Sequence, residues 1–467
     1  MAIDASIFKA YDVRGLYPDQ IDAGTAALIG RALAEQLGAR RLGVGMDPRT
    51  SSPELAAAFA AGAEAAGAEV EHFGVVATEM LYYGVASRSL DGGVMITASH
   101  NPRQYNGMKL VADGALPLSG EEGIPELRRR VLELEATAAQ ASGAPAEHLE
   151  PGIASGAGAS AIAQEDKIDL YTAYVRHLMR FCSPRDWPDY QVVMDAANGV
   201  AGRLAPLVFD ETPIWRTEMY FEVDGTFPNH EPNPLLEENR SEIIARVLES
   251  KADLGIAWDG DADRCFFIDE AGGFVPGDFV TALLAEALLR THPGASILYD
   301  LRASRAVPDT IRANGGTPLI NRVGHAFFKQ RMRREPVLFG GEVSGHYYFA
   351  ENYNADSGFI PALLMLQLLA ENKATMTELL EPLRSRYFIS GEINSTVEDA
   401  DATIARIRDK FRDGEVTTLD GVSVDYEHWH FNVRASNTEP LVRLNLGADD
   451  EALMEEKRDL VLSVIRG

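Results

Sequence analysis

The chain has 467 residues, of which 46% are hydrophobic and 24% charged, a globular composition that excludes a disordered or fibrous protein. With 43 Lys and Arg against 70 Asp and Glu, the formal net charge is −27, which opposes nonspecific binding to nucleic acids or anionic membranes. A small anionic ligand would therefore need a locally basic cleft.

Length, cysteine spacing and the distribution of apolar residues narrow the class of protein further. At about 150 residues per domain, the length predicts three or four domains. Cys182 and Cys265 form no Cys-x-x-Cys pair, so we expect two free thiols. Residues 1–11 lack a basic segment followed by an apolar core, and no run approaches the roughly 20 apolar residues of a membrane helix. We therefore expect a cytoplasmic protein.

Strand-like apolar runs alternate with helical stretches along most of the chain, as in α/β domains. For example, a helical stripe within residues 236–250 precedes a strand-like run at 254–258. Ala, Gly, Ser and Pro dominate residues 136–164, which predicts a loop after the first domain. Residues 387–467 lack the alternation and predict a separate, smaller α+β domain.

A threefold pattern runs through the α/β part of the sequence. Apolar runs end at Asp47, Asp195 and Asp300, and each is followed by helical sequence and a second apolar run. Each second run leads into a polar loop, beginning near residues 97, 259 and 341. Three related α/β domains would produce this pattern, and so would chance similarity between generic strand-turn units.

The first polar loop follows the apolar residues 94–96 and has the sequence Thr97-Ala98-Ser99-His100-Asn101-Pro102. Small and polar residues at a strand end suit an exposed nucleophilic hydroxyl on Ser99, with His100 and backbone N–H groups available for phosphate oxygens. A turn whose hydroxyl caps a neighbouring backbone group fits the same residues. Spacing alone does not separate the two interpretations.

The second polar loop places carboxylates at alternate positions, in the sequence Asp259-Gly260-Asp261-Ala262-Asp263-Arg264. Carboxylates this close would repel one another without a cation, and Mg²⁺ prefers oxygen ligands, so the loop predicts a metal site. The spacing also fits a calcium EF-hand, but Arg264 stands where that loop needs glycine, and residues 265–268 are strand-like. Arg264 could instead contact a phosphate beside the cation.

Two further loops offer hydrogen-bonding groups. In residues 341–346, Glu342 and Ser344 can face the same sugar because they are two apart in an extended loop. Residues 434–440, with Arg443 shortly after, offer a guanidinium, hydroxyls and an amide for a phosphate. Plain turns remain the alternatives for both loops. No nucleotide-binding glycine loop occurs, so a phosphoryl group must come from another source.

In this order and over essentially the whole chain, the four loops resemble those of the α-D-phosphohexomutase superfamily. Residues 97–102 resemble its phosphoserine loop, 259–264 its magnesium loop, 341–346 its sugar loop and 434–439 its phosphate loop. The last two are most similar to the phosphomannomutase/phosphoglucomutase branch. Phosphoglucosamine mutases usually have Gln at the position of Val343 and Ser-Gly-Thr at residues 436–438.

The resemblance implies three related α/β domains, with mixed sheets flanked by helices, and a smaller C-terminal α+β domain, all around a central cleft. We expect a phosphoserine domain at residues 1–165, including the loop 136–164, and a metal-binding domain at 166–272. A sugar-binding domain is expected at 273–384 and a phosphate-binding domain at 385–467.

The resemblance also implies site residues. The implied catalytic residues are Ser99, His100, Lys109, His325 and Arg14, and the metal ligands are Asp259, Asp261, Asp263 and Ser99. The implied substrate-binding residues are Tyr11, Arg264, Arg302, Glu342, Ser344, His346, Arg434, Ser436, Asn437, Thr438 and Arg443. Without the resemblance, we would predict Lys109 as a surface lysine and His325 as a helix start. Arg302 stands where the best-known family pattern has lysine; since arginine cannot act as a base, only sugar or phosphate contact is assigned to it.

The implied enzyme is an isomerase of carbohydrate metabolism, a phosphoprotein that interconverts mannose or glucose 1-phosphate and 6-phosphate. It would use a phosphoserine, one Mg²⁺ per chain, and glucose 1,6-bisphosphate as intermediate and activator. A phosphoglucosamine mutase, a metal-dependent sugar phosphatase and a noncatalytic phosphosugar-binding protein are the alternatives. We expect a small-molecule phosphosugar partner, no nucleic acid or membrane, and a monomer or dimer.

Overall fold

The computed structural model describes residues 3–120, 123–142, 169–435 and 441–467. The chain divides into two compact units. The first contains Met1–Cys265 and Ala355–Leu363, and the second contains Phe266–Asn354 and Leu364–Gly467.

The first unit begins with a mixed sheet of six strands covered by helices. Its strands are β1 (Val13–Leu16), β2 (Arg41–Met46), β3 (Glu69–Val75), β4 (Gly92–Ile96), β5 (Tyr105–Ala112) and β6 (Leu116–Pro117). Its helices are α1 (Ala23–Leu37), α2 (Ser52–Ala65), α3 (Thr78–Ser87) and α4 (Ile124–Ser142). The strand order is β1-β5-β4-β2-β3, with β6 paired to β5.

Neighbouring strand ends in this sheet bring two turns together. β2 is parallel to both β3 and β4, and Met46 is in register with Ile96. The turn at Asp47 therefore begins beside the loop at Thr97, and Asp47 N donates a hydrogen bond to Ile96 O at 2.9 Å. The carboxyl ends of parallel strands meet at one edge of a sheet, where ligands of α/β proteins commonly bind.

A second, parallel group of strands in this unit leads to the acidic loop. Its elements are α5 (Leu170–Leu178), β7 (Gln191–Asp195), α6 (Ala201–Phe209), β8 (Trp215–Met219), α7 (Ser241–Ser250) and β9 (Leu254–Trp258). β7 is parallel to both β8 and β9. Every residue of β9 is buried. The strand therefore delivers the loop that begins at Asp259 out of the hydrophobic core.

The second unit contains another predominantly parallel group. It follows β10 (Cys265–Asp269) and β11 (Phe274–Val275), which pair antiparallel with each other, and comprises α8 (Gly277–Thr291), β12 (Ser296–Asp300), α9 (Ala306–Ala313), β13 (Thr317–Asn321), α10 (His325–Arg334), β14 (Val337–Gly341) and β15 (Tyr347–Phe349). β12 is parallel to β13 and β14, and β15 pairs antiparallel with β14. Tyr299 is in register with Gly341, so the turn at Asp300 and the loop at Glu342 are adjacent.

The C-terminal part forms an antiparallel sheet with two helices. The remaining elements are β16 (Ala355–Asp356), α11 (Phe359–Asn372), α12 (Met376–Arg384), β17 (Phe388–Thr396), α13 (Ala400–Lys410), β18 (Glu415–Thr417), β19 (Val422–Asp425), β20 (Trp429–Ala435), β21 (Leu441–Ala448) and α14 (Glu451–Arg466). The sheet order is β17-β21-β20-β19-β18. Ile407, Phe431 and Val461 belong to its own hydrophobic core.

The fold class is confirmed, since mixed sheets flanked by helices and a C-terminal α+β domain are present. The predicted loop at 136–164 is wrong at its start, because α4 continues to Ser142. Alanine has the highest helix propensity, so an alanine-rich segment can extend a helix without apolar periodicity. Residues 143–164 of that loop lie outside the described residues, and the four domain boundaries stay a prediction.

Among the helices described, none combines the length and the apolar character needed to cross a membrane. The cytoplasmic location stays a prediction.

The close packing of α1 on α2 gives a stability prediction. A Cβ atom at Gly30 would overlap the carbonyl oxygen of Phe59, whereas one at Gly24 in the first turn of α1 would meet only Asp22 Oδ1, at 3.5 Å. Gly30→Ala must force the helices apart, so we expect a loss of about 1–3 kcal/mol in unfolding free energy by urea titration. Gly24→Ala is the control, expected to gain a few tenths to about 1 kcal/mol. Equal stability of the two variants would contradict the packing argument.

Candidate active site

Ser99 lies at the first turn after β4, with its side chain facing the acidic loop. The residue is only 2% exposed and has a φ of 52°, in the left-handed region that non-glycine residues rarely adopt. Ser99 N donates to Thr97 Oγ1 at 2.8 Å, and Ser99 Oγ donates to Asp259 Oδ2 at 2.8 Å. His100 Nδ1 lies 3.3 Å from Ser99 Oγ. We call residues 97–104 the Ser99 loop.

Asp259, Asp261 and Asp263 form a buried carboxylate cluster with one oxygen of each within 4.8 Å of the others. Lys109 Nζ donates to Asp261 Oδ2 at 2.7 Å and to Asp263 Oδ2 at 2.5 Å. Thr78 Oγ1 also donates to Asp261 Oδ2, at 2.6 Å. Lys109 is therefore a buried partner of the cluster.

The net negative charge of this cluster, and a carboxylate oxygen in it that has no hydrogen-bond partner among the described residues, suit a divalent cation. Three carboxylates (−3) face Lys109 and Arg264 (+2), and Arg264 Nε lies 3.5 Å from Asp259 Oδ2. Asp261 Oδ1 is buried and has no hydrogen-bond partner among the described residues. Hard cations take such oxygens as ligands, so the cluster fits a metal such as Mg²⁺.

Burial and neighbouring charges shift the pKa values of Asp259 and Lys109. It raises the pKa of Asp259 well above its usual value, and the neighbouring Asp261 and Asp263 raise it further. Burial alone would lower the pKa of Lys109, but attraction to the three carboxylates outweighs it and raises that pKa above the usual range. Lys109 is therefore held as an ammonium ion.

The N-terminal segment reaches the Ser99 loop through Arg14 on β1. Arg14 Nη1 donates to Asn101 Oδ1 at 2.7 Å, and Arg14 Nη2 donates to Asp12 Oδ2 at 2.7 Å. Tyr11 lies in the same segment and is partly exposed. The structure thus brings Arg14, Ser99, His100, Lys109 and the carboxylate cluster together within the first unit.

In the second unit, the loop after β14 gathers the predicted sugar-binding residues. Glu342 Oε1 accepts from Tyr348 Oη at 2.5 Å, and Glu342 Oε2 accepts from Gly324 N at 3.0 Å. Ser344 Oγ lies 3.1 Å from His346 Nδ1, and the rings of His346 and His325 are stacked at 5.9 Å. Glu342, Ser344, His346 and His325 therefore form one polar group.

Three guanidinium groups of the second unit converge on one carboxylate, that of Glu392. The distances to the Glu392 carboxylate oxygens are 3.5 Å from Arg302, 3.5 Å from Arg434 and 3.1 Å from Arg443. Arg302 Nη2 also lies 2.7 Å from Asp300 Oδ2 and 3.8 Å from Glu342 Oε2. We call Arg302, Arg434 and Arg443 the arginine cluster.

The arginine cluster determines the ionisation of Glu392. Burial would raise the pKa of this carboxyl, but Arg302, Arg443 and Arg434 together lower it below its usual value. An anion is therefore stable at this position. The predicted residues Ser436, Asn437 and Thr438 lie outside the described residues.

Sequence reasoning missed four site neighbours: Arg49, Thr78, Glu79 and Glu392. Thr78 and Glu79 open α3 without any unusual spacing, and Glu392 lies in β17 without a motif that marks it. Arg49 did carry a signal, because the sequence Asp47-Pro48-Arg49 matches Asp300-Leu301-Arg302 at the end of another repeated strand.

Comparison with known proteins matches four family domains along the chain. Family models of the phosphoglucomutase/phosphomannomutase family match as alpha/beta/alpha domain I at residues 5–137, domain II at 169–273, domain III at 276–387, and the C-terminal domain at 392–463.

Relatives and solved structures agree. The chain is 40% identical over 463 residues to a protein named "Phosphohexose mutases" from Xanthomonas campestris, covering 98% of this chain and 99% of that one. It is 39% identical to a phosphomannomutase of Salmonella typhimurium, covering 98% of both. A phosphoglucomutase/phosphomannomutase family protein from Burkholderia thailandensis has the same fold, with a TM-score of 0.85, 31% identity, and coverage of 99% of this chain and 98% of that one.

These matches define a class of enzyme, the phosphosugar mutases, which are isomerases. The chain belongs to the phosphoglucomutase/phosphomannomutase family. The resemblance drawn from the four loops is thereby confirmed, and so is the predicted isomerase activity. The roles assigned to individual residues stay predictions.

The buried carboxyl group of Glu79, next to Thr78 in α3, yields a pH prediction. Its carboxylate accepts from Gly358 N at 2.9 Å, and burial raises its pKa from 4.5 to about 8. The folded protein holds this proton more tightly than the unfolded chain, so the resulting stability is complete below pH 4.5 and lost as pH rises through 8. We expect Glu79→Gln to abolish that loss, gaining roughly 1 kcal/mol over wild type per pH unit between pH 6 and 8.

Urea unfolding at pH 6, 7 and 8 measures this difference. Glu64→Gln, at an exposed position on α2, is the matched control and should follow the wild-type pH dependence. Parallel pH profiles of Glu79→Gln and wild type would rule out a buried proton on Glu79.

Proposed function

We propose that this phosphosugar mutase interconverts the 1-phosphates and 6-phosphates of mannose and glucose, with Ser99 carrying the phosphoryl group. The observation that carries the proposal is the 2.8 Å hydrogen bond from Ser99 Oγ to Asp259, which places the hydroxyl against the carboxylate cluster. A hydroxyl beside buried carboxylates and an ammonium group matches the needs of phosphoryl transfer, which depends mainly on positioning and charge stabilisation.

Asp259, Asp261 and Asp263 would hold one Mg²⁺, with Ser99 as the fourth proposed ligand. When bound, Mg²⁺ supplies positive charge that stabilises the transferring phosphoryl group. Arg264 and Lys109 are proposed to offset the charge on phosphoryl oxygens, since both already contact the cluster. Arg14 is proposed to orient the Ser99 loop through its hydrogen bond to Asn101, and His100 to contact the phosphoryl oxygens.

In the forward step, the bond between phosphorus and Ser99 Oγ breaks and a bond forms to the free 6-hydroxyl of a hexose 1-phosphate. The product is a hexose 1,6-bisphosphate. The hydroxyl proton passes to a base, for which His325 and Lys109 are the candidates. Because the carboxylates keep Lys109 protonated, His325 is the better acceptor.

In the return step, Ser99 takes the phosphoryl group from position 1 and leaves hexose 6-phosphate. The bisphosphate must therefore be bound in two orientations, so each phosphate in turn has to occupy the same anion site. We propose that the arginine cluster, with Ser436, Asn437 and Thr438, is this site, and that Glu342, Ser344, His346 and Tyr11 contact the sugar. Glucose 1,6-bisphosphate would then restore phosphoserine in any enzyme that has lost it.

The first test compares wild type with Ser99→Ala in turnover of mannose 1-phosphate, glucose 1-phosphate and glucosamine 1-phosphate, with Mg²⁺ and catalytic glucose 1,6-bisphosphate. We expect comparable turnover of the first two sugars by wild type, and a loss of at least about 10⁴-fold in Ser99→Ala because the covalent route is removed. Intact mass spectrometry should detect one phosphate on wild type and none on the variant.

Each rival function has its own signature in that experiment. Preference for glucosamine 1-phosphate would assign the chain to the phosphoglucosamine branch, and release of inorganic phosphate in place of isomerisation would identify a phosphatase. Full turnover by Ser99→Ala would exclude Ser99 as the phosphoryl carrier.

Glu392 gives a second test, directed at the anion site. Its carboxylate occupies the arginine cluster, so an incoming phosphate must compete with it or displace it. We expect Glu392→Gln to bind glucose 1,6-bisphosphate at least about fivefold more tightly by calorimetry, because removing a charge a few ångströms from a dianion is worth about 1 kcal/mol or more. Glu398→Gln, at an exposed position after β17, should leave the Kd unchanged. Weaker binding by Glu392→Gln would mean that Glu392 organises the arginines for the ligand.

A further inference from the structure

We infer that Arg49, held by Asp47, is a positioning residue that fixes the Ser99 loop for phosphoryl transfer. The inference rests on the proposed role of Ser99 and adds a residue to which no role was assigned above, one that binds Ser99 through its backbone carbonyl. It is carried by the geometry of one buried guanidinium group.

The Arg49 guanidinium group makes four hydrogen bonds to backbone carbonyls of the Ser99 loop and its exit. Nη2 donates to Ser99 O at 2.8 Å and to Asn101 O at 2.6 Å. Nη1 donates to Pro102 O at 2.8 Å and to Tyr105 O at 3.1 Å. One side chain therefore fixes the carbonyl of the nucleophilic residue and three carbonyls that follow it.

Asp47 orients this guanidinium group. Its Oδ2 accepts from Arg49 Nε at 3.0 Å, and its Oδ1 accepts from Arg49 N at 3.0 Å and from Ser52 Oγ at 2.7 Å. All five N–H groups of an arginine side chain lie in one plane, so a carboxylate on Nε fixes the direction of both terminal nitrogens. A lysine offers three donors without this fixed fork and cannot reproduce the arrangement.

Arg49 is sealed from solvent, with 0% of its side chain exposed. The ring of Phe227 lies 5.1 Å from its guanidinium carbon. Gly225 approaches so closely that a Cβ there would overlap the carbonyl oxygen of Pro48. Water cannot replace the four hydrogen bonds while this cover is in place, so loss of the guanidinium leaves buried carbonyls unpaired.

The other two repeated strand ends use the same turn differently. Asp195 Oδ1 accepts from Ala197 N at 2.8 Å. This turn has no arginine two residues after the aspartate, and His230 Nε2 lies 2.9 Å from Asp195 Oδ2 instead. Asp300 accepts from Arg302 N at 2.7 Å, and there the arginine belongs to the arginine cluster. Of the three equivalent positions, Arg49 is the one whose guanidinium group binds the loop that carries the proposed nucleophile.

The backbone at Ser99 explains why this support matters. With a φ of 52°, Ser99 occupies a conformation that costs a non-glycine residue free energy, so the surroundings must hold it there. Once the loop relaxes, Ser99 Oγ leaves its position against Asp259. Displacement of a reacting atom by about 1 Å can cost 10²-fold in rate. The proposed sugar and phosphate ligands Glu342 and Arg434 belong to the other unit, so substrate affinity should change little.

The experiment measures kcat, KM and the single-turnover phosphorylation of Ser99 by glucose 1,6-bisphosphate in wild type, Arg49→Lys and Arg49→Gln. We expect kcat and the phosphorylation rate to fall at least about 100-fold in both variants, with KM within about threefold of wild type. Guanidinium ion, well below denaturing concentration, should partly restore kcat to Arg49→Ala. Arg203→Gln, which removes an arginine stacked on Tyr171 in the same unit, should keep kcat within about twofold.

Folded protein is quantified by near-ultraviolet circular dichroism, so that rates refer to folded molecules. Wild-type kcat in folded Arg49→Lys or Arg49→Gln overturns the inference, as does a rise in KM without loss of kcat. Should those variants not fold, Asp47→Asn keeps the size of the side chain and is expected to lower kcat about tenfold. Unchanged kcat in Asp47→Asn would equally overturn it.

Hydrogen exchange separates this inference from the proposed function. In Arg49→Gln, amides of residues 97–104 should exchange faster while those of β2 and β4 stay protected, whatever reaction the protein catalyses. If wild type does not phosphorylate Ser99 but the loop still loses protection, the proposed function fails and the positioning role stands. Unchanged protection of the loop refutes the positioning role.

Discussion

Burying three carboxylates in one short loop is the constraint around which the first unit is arranged. An isolated buried carboxylate would shed its charge by taking up a proton, so the cluster needs cations and hydrogen-bond donors on every side. Lys109 comes from β5, Thr78 from the start of α3, and Ser99 from the end of β4. The sheet topology makes this possible, because Ser99 follows the end of β4, Thr78 begins α3, and Lys109 reaches the same loop from within β5.

The three repeated α/β segments share one kind of turn at a strand end. In each repeat, a parallel strand ends at an aspartate whose side chain accepts a hydrogen bond from the backbone two residues later. The turn is rigid and built from local contacts, so the residue after it can change without loss of the fold. At the position two residues after the aspartate, Arg49 donates to backbone carbonyls. Arg302, at the same position of another repeat, contacts charged side chains instead.

Much of the fold and part of the site could be predicted from the sequence. Strand and helix periodicity identified β9 and α7, and the spacing of the acidic loop indicated a cation site, because alternating carboxylates have few other uses. The resemblance identified Lys109, which composition would have placed on the surface. Glu79 and Glu392 could not be foreseen, since their partners come from segments distant in sequence and no local pattern marks either carboxyl. The end of α4 was missed because residues 136–142 were assigned to a loop from the Ala, Gly, Ser and Pro content of the segment, although alanine favours a helix.

One irregularity in the C-terminal sheet determines the local charge of the arginine cluster. The pairing of β17 with β21 shifts between Ile389 and Glu392, and Gly391, with a φ of 66°, supplies the left-handed backbone of a bulge. Side chains alternate along a strand, so if the pairing continued from Ile389 without the bulge, Glu392 would stand opposite Leu444 and on the other face of the sheet. The arginine cluster would then lose the Glu392 carboxylate, and the charge of these four side chains at the cluster would change from +2 to +3. A one-residue slip of this edge strand would therefore change the charge that an anion meets, with every charged side chain retained.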